Sequence, residues 1–267
     1  MTLMKFVSVA GVLAAMSTAV LSDDGYELVW ADEFDGPELN TNVWRVVKGN
    51  GCPTNCGFGN NELQAYRGGE KNLRVQDGKL VIEARMGNKV TSAKITTQDM
   101  PGWTYGRFAM RAKLPSGVGT WPAFWMMPKA ASYGPWPKSG EIDIMEHVGY
   151  NPGQVHGTIH TGAYNHKIGT QKGDFMQVPD AAEAFHDYAV EWEEDEIRWY
   201  IDGQEYYRIE KEAGDGHAKW PLDHPFYVIL NLAVGGDWGG AEGVDKAAFP
   251  ARFEVDWVRV WQKTADK

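Results

Sequence analysis

Cysteine is scarce in this chain: Cys52 and Cys56 are the only two in 267 residues. That excludes a disulfide-built miniprotein, and two thiols alone do not make a structural zinc site. They leave two readings, a small disulfide loop and a pair of free thiols. Basic residues are also few, with 26 Lys and Arg against 36 Asp and Glu, a net charge of −10. So acidic a chain is repelled by nucleic acid and anionic membranes, and neither is expected as a partner. A sulfated polysaccharide fits poorly for the same reason, unless a local basic cleft overrides the total. Beyond residue 20 no apolar run approaches the ~20 residues that a membrane span requires. Long helical periodicity is missing too, as are repeats, linkers and low-complexity tracts.

Residues 1–22 have the form of a secretory signal: Lys5, then an apolar, small-residue run over 6–20, with Ser17-Thr18-Ala19 as a cleavable site. A membrane anchor is the competing reading, but the run is short and carries Ser and Thr. The expectation is a secreted chain, extracellular or periplasmic, that acts as a monomer. Its single catalytic-size domain would span 23–267. In an exported chain the disulfide reading of Cys52 and Cys56 gains weight.

What the sequence does have is short alternating runs punctuated by Gly, Pro, Asn and Asp. Runs at 26–30, 80–84, 105–114, 123–127, 141–147, 154–161, 187–192, 197–201, 204–209, 226–234 and 252–261 read as strands. Asp77-Gly78 and Asp202-Gly203 mark tight turns. Only 181–185 suggests a helical turn. Strands at this spacing without intervening helices imply an all-β sandwich of two antiparallel sheets. Trp192, Trp199 and Trp257 sit among alternating apolar residues and are expected in its core.

One stretch stands apart: Gly140-Glu141-Ile142-Asp143-Ile144-Met145-Glu146. On a helix, positions five apart diverge by roughly 140°, so Glu141 and Glu146 would not meet. On a strand, Glu141 and Asp143 share one face while Ile142 and Ile144 point to the other. Strict alternation would place Glu146 on the wrong face. One extra residue near Ile144–Met145, a β-bulge, would return it beside the other two acids. Three acids on one strand face repel each other, a cost most readily tolerated where coupled carboxylates do chemistry. Aromatic residues lie close by: Trp121, Ala123 and Trp125 share a face by period two, and Trp136 follows. Aromatic rings beside carboxylates suit sugar rings stacked over a cleft, with two acids at the scissile bond.

The stretch at 140–146 resembles the Glu-x-Asp-x-x-Glu signature of glycoside hydrolase family 16, in the bulged branch that includes laminarinases (endo-1,3-β-glucanases). Further resemblances run from about Trp30 to Trp261. They include Glu33-Phe34-Asp35-Gly36, Gly59-Asn60-Asn61-Glu62-Leu63-Gln64, Tyr105-Gly106-Arg107-Phe108, Trp121-Pro122-Ala123-Phe124-Trp125 and 253–260. The resemblance implies a β-jelly roll whose concave sheet forms the cleft. It implies Glu141 as nucleophile, Asp143 as its assistant and Glu146 as acid/base. It implies substrate contacts at Asn60 and Arg107, to which the aromatic pattern adds Trp121, Trp125 and Trp136. A structural ion pair is the competing role for Arg107. His160 shares a face with His156 and Thr158 and is expected near the acids, as a further substrate-binding residue.

No catalytic cofactor is implied. A structural calcium on the convex side would use the Asp256 side chain and backbone oxygens near Glu33 and Gly78. The competing role for Asp256 is pairing with Arg. The implied activity is retaining, endo-acting hydrolysis of 1,3-β-glucan, with mixed 1,3-1,4-β-glucan as a further substrate. A galactan hydrolase of the same branch and a non-catalytic β-glucan-binding protein are the competing readings.

Overall fold

The computed structural model describes residues 25–264, so the signal expected at 1–22 lies outside the described residues. Two sheets pack face to face. The first holds seven strands in the order β12 (Lys172–Gln177), β11 (Gln154–His160), β10 (Glu141–His147), β9 (Thr120–Pro128), β16 (Phe226–Val234), β7 (Lys94–Thr96) and β2 (Arg45–Val46). The second holds ten. Its path runs β15 (Gln204–Glu210), β14 (Glu196–Ile201), β13 (His186–Trp192), β8 (Gly106–Lys113), β17 (Ala251–Lys263), β5 (Lys79–Met86), β6 (Val90–Ser92) and β3 (Ala65–Tyr66). There β1 (Tyr26–Asp32) joins β17, and β4 (Leu73–Gln76) joins β5. Pairing is antiparallel throughout, except that β3 and β6 run parallel. This is the all-β sandwich that the alternating pattern implied, in the jelly-roll form that the family resemblance implied.

Alternation explains the layers. In β8, Phe108, Met110 and Ala112 point inward, and in β9, Phe124 and Met126 do the same. Trp192 and Trp199 from the ten-stranded sheet fill the space between them, both fully buried. Asp77 and Gly78, and Asp202 and Gly203, all have positive φ, as type I′ hairpin turns require. Residues 180–184 close a single turn, with Ala184 N donating to Asp180 O at 2.9 Å.

Trp257 departs from expectation. The register of β17 slips between Val255 and Trp257, so Val255 and Val258 face the core and Trp257 turns outward. Its ring is covered by the Arg259 guanidinium at 4.2 Å.

Candidate active site

The three acids lie on β10, an interior strand of the seven-stranded sheet. Between Asp143 and Glu146 this strand advances three residues while β11 advances two, from Thr158 to His156. Against β9 the same slip falls between Asp143 and Met145. The extra residue is therefore at Ile144–Met145, where the sequence required it, and both side chains are buried in the core. Glu141, Asp143 and Glu146 consequently face the same cleft.

A bulge leaves a backbone group without its ladder partner. Here the Asp143 carbonyl accepts a hydrogen bond from Trp199 Nε1 at 2.9 Å, reached across the sandwich core. Gly157 makes the approach feasible. A Cβ at that position would lie 2.3 Å from the Trp199 ring.

The cleft encloses about 560 Å³ and is lined by residues of β7, β9, β10 and β16 together with loops around 55–62 and 135–136. Trp121, Trp125, Trp136 and Asn60 all line it. Two of the tryptophans do more than offer ring faces. Trp121 Nε1 donates to Glu146 Oε1 at 2.9 Å, and Trp136 Nε1 donates to Glu141 Oε2. Trp125 Nε1 is held by Asn231 Oδ1 at 2.7 Å.

The environments separate the two outer acids. Burial pushes Glu146 up to about 7, and the charges of Glu141 and Glu62 push the same way against the Trp121 hydrogen bond. Glu141 is also raised by burial, but Trp136, Asp143 and the Lys94 ammonium all oppose that rise. Asp143 is raised furthest in kind: burial, both flanking carboxylates and its hydrogen bond to Glu141 all favour its protonated form. These environments favour the protonated form at Glu146 and Asp143 and hold back the rise at Glu141.

His160 sits behind this row. It is buried, its Nε2 lies 3.4 Å from Asp143 Oδ2, and it does not line the cleft. Burial lowers it to about 4, so it is a neutral ring beside Asp143, set back from the cleft lining. Arg107 requires a plain correction. It lies on β8 in the other sheet, where period two turns it outward beside the inward Phe108. There Nε donates to Glu191 Oε1 at 2.8 Å and the guanidinium covers the Tyr26 ring. It is a structural ion pair remote from the cleft, and only the short Tyr-Gly-Arg-Phe run suggested otherwise.

Sequence reasoning missed Lys94. Its Nζ lies 4.6 Å from the Trp125 ring centre and 5.4 Å from that of Phe58. Burial lowers its pKa, while Glu62 and Glu141 oppose that shift. Glu62, Tyr66 and Asn231 were missed as well, and all three line the cleft. A usable signal existed for Lys94: Ile95 is inward on a short strand, so Lys94 must face the other way. Cys52 and Cys56 are joined as a disulfide; Asn55 within the loop they close, and Phe58 and Gly59 just beyond it, line the cleft wall.

The register sets the expected metal positions near neighbouring strand ends. Val255 pairs with Leu80 just after Gly78, and Val258 pairs with Asp32 just before Glu33. The Glu33 side chain is taken by Arg259 at 2.7 and 2.8 Å, leaving only its backbone oxygen as a donor. Asp256 faces Arg111 Nε at 3.6 Å and keeps an exposed carboxylate. One carboxylate with backbone oxygens is an oxygen-only set that suits calcium. Among the described residues, the cluster with three close ligand-type atoms is instead Glu141, Asp143 and His160, all within 4.8 Å.

Residues 60–259 match the family model described as Glycosyl hydrolases family 16. The chain belongs to glycosyl hydrolase family 16. It is 52% identical over 249 residues to a Rhodothermus marinus protein named Beta-glucanase, covering 89% of this chain and 85% of that one. It superposes on the X-ray structure of the laminarinase from Rhodothermus marinus with a TM-score of 0.86 and 49% identity, over 90% of this chain and 98% of that one. A mutant of a non-specific endo-beta-1,3(4)-glucanase, co-crystallized with 1,3-beta-D-cellotriosyl-glucose, matches with a TM-score of 0.84 and 46% identity over 90% of this chain and 96% of that one. Family 16 hydrolases retain anomeric configuration and need no catalytic cofactor. A retaining enzyme uses one carboxyl as proton donor and the other as nucleophile, and a raised Glu146 beside a Glu141 whose rise is opposed by Trp136, Asp143 and Lys94 fits that pairing.

Proposed function

We propose that this chain is a retaining endo-β-glucanase that cleaves 1,3-β-glucan, with mixed 1,3-1,4-β-glucan as a second substrate. The observation that carries the reading is the bulged β10 row, whose slip brings Glu146 to the face of Glu141, with burial raising Glu146 to about 7 while Trp136, Asp143 and the Lys94 ammonium oppose the rise at Glu141. In the first step the Glu141 carboxylate attacks the anomeric carbon while Glu146 gives its proton to the glycosidic oxygen. The aglycone leaves as an alcohol and the sugar is esterified to Glu141. In the second step the Glu146 carboxylate takes a proton from water as that water attacks the same carbon, which frees Glu141. Asp143 holds its proton toward Glu141 throughout and steadies the carboxylate as its charge comes and goes.

Substrate identity follows from the relatives named for β-glucan and laminarin, and from a cleft of tryptophan faces and hydroxyl-binding polar groups. Proton NMR of the first product from laminarin tests it. β-Anomer should appear first and mutarotate later, and Glu141→Ala should release no sugar. Release of α-anomer first would remove Glu141 as nucleophile. Turnover of agarose with none on laminarin or lichenan would replace glucan by galactan.

The form of residues 1–22 supports export, and we infer that the mature enzyme is secreted and monomeric. Calcium at Asp256, Glu33 and Gly78 would tie β17 to the turn before β5, away from the reaction. Chelator should then lower the melting temperature and leave kcat alone. An unmoved melting temperature would remove that ion.

A further inference from the structure

The cleft is one-sided. Its lining runs from β10 across β9 and β16 to β7 and the 55–62 loop; on the other side Trp136 joins it with His166 and Lys167, the latter two from the connection between β11 and β12, and the strands β11 and β12 themselves contribute nothing. A glucan laid across the strands with its scissile bond over β10 must pass over both sides. One half then lies in the cleft. The other lies over β11 and β12, the open edge of the sheet.

That edge carries an aromatic track. Val155 and Ile159 of β11 are buried in the core, so His156 turns to the cleft face. His156 pairs directly with Phe175 of β12, which puts both rings on that face, 5.6 Å apart. The other side of His156 meets the Trp238 ring edge-on at 5.0 Å, and Trp238 meets Trp121 at 5.5 Å. The row thus connects Trp121, the hydrogen-bond donor to Glu146, to Phe175 at the sheet edge. Phe175 is 48% exposed, one of few large apolar side chains so placed among the described residues. Nothing in the core calls for it, and its strand lies two strand spacings, about 10 Å, from β10.

We propose that Phe175, backed by His156 and Trp238, is a sugar-stacking subsite for the aglycone half of the glucan. This rests on the glucanase reading above. The assignment to the aglycone follows from the two-step chemistry. The half that stays esterified to Glu141 must be held through the second step, which suits the enclosed cleft with Lys94, Trp125 and Asn231. The half that departs, and any acceptor that replaces water, needs an open and shallow platform, and the β12 edge supplies one. Burial lowers His156 to about 4, so its ring is neutral near pH 7 and presents an uncharged partner to sugar hydroxyls.

The test uses an activated aryl β-laminaribioside as donor and laminaribiose as added acceptor. Transfer is measured against hydrolysis as acceptor concentration rises. In Phe175→Ala the acceptor concentration giving half-maximal transfer should rise about tenfold, the scale of one lost stacking platform. Phe175→Trp should restore it, which a purely structural role would not predict. An unchanged acceptor dependence in Phe175→Ala overturns the subsite, as does an equal loss in the Trp variant. A wild-type protein that cleaves neither the aryl glycoside nor laminarin would overturn the glucanase reading and the subsite with it, and is readily told from either result.

Discussion

An indole N–H on a carboxylate acts on charge as well as on position. Trp121 lowers the Glu146 pKa against burial, and Trp136 does the same for Glu141. Replacing either by Phe keeps a ring and removes only the donor. Trp121→Phe should move the alkaline limb of the kcat/KM profile, near pH 7 in the native enzyme, to higher pH. Trp136→Phe should move the acidic limb upward instead, because Glu141 must ionise to attack. Each should lose on the order of tenfold in kcat, as expected for one hydrogen bond to an acid. Limbs that stay put in both variants would return the two indoles to ring stacking alone. These roles were not legible in the sequence. Period two placed Trp121 and Trp125 on the cleft face, but the direction of an indole nitrogen depends on rotamers set by neighbours from other strands. Arg107 failed for a related reason: a four-residue run says nothing of which sheet its strand joins, and β8 joins the outer one.

The strand β10 is where element-level reasoning was most informative. Three acids that must share a face, with an odd count between them, require an added residue, and the register slip is at Ile144–Met145. What pins that slip could not be read. The donor to the Asp143 carbonyl is Trp199, 56 residues further along the chain, and its room comes from Gly157. Trp199→Phe would leave a buried carbonyl unsatisfied, a loss of about 1–3 kcal/mol. The melting temperature should fall by several degrees, at about 2–4 °C per kcal/mol for a domain of this size. Activity should fall further than stability explains, because the bulge sets where Glu146 stands relative to Glu141. A Trp199→Phe variant that matches the native enzyme in both would show that the bulge holds itself. Strand order was less accessible than strand existence. Hairpins such as β14–β15 announce themselves by Asp-Gly, whereas β17 between β8 and β5 is a long-range pairing with no local mark.

At the scale of the whole molecule, the site opposes the fold that carries it. A carboxyl whose pKa is raised by folding stabilises the native state only while it keeps its proton. Glu146 has an ordinary value of 4.5 and is pushed to about 7 in the native protein. Below pH 4.5 both states are protonated and this contribution is fully present. Between 4.5 and 7 the unfolded chain ionises freely while the folded one does not, so stability is progressively lost as pH rises. Above 7 the native protein carries a buried charge among Glu141 and Glu62 that the unfolded chain holds in water. Glu146→Gln keeps the shape and the Trp121 partner but cannot ionise. The variant and the native enzyme should therefore melt together near pH 4, and the variant should melt higher by several degrees at pH 8. The gap should open between about pH 4.5 and 7, the window set by the shift itself. Overall charge repulsion also grows with pH, but it acts on both proteins almost alike, and the difference cancels most of it. Thermal melts of the pair across this range decide the matter: a native enzyme that is the more stable of the two at pH 8 would mean that Glu146 is ionised at little cost, and it could not then serve as the proton donor near neutrality.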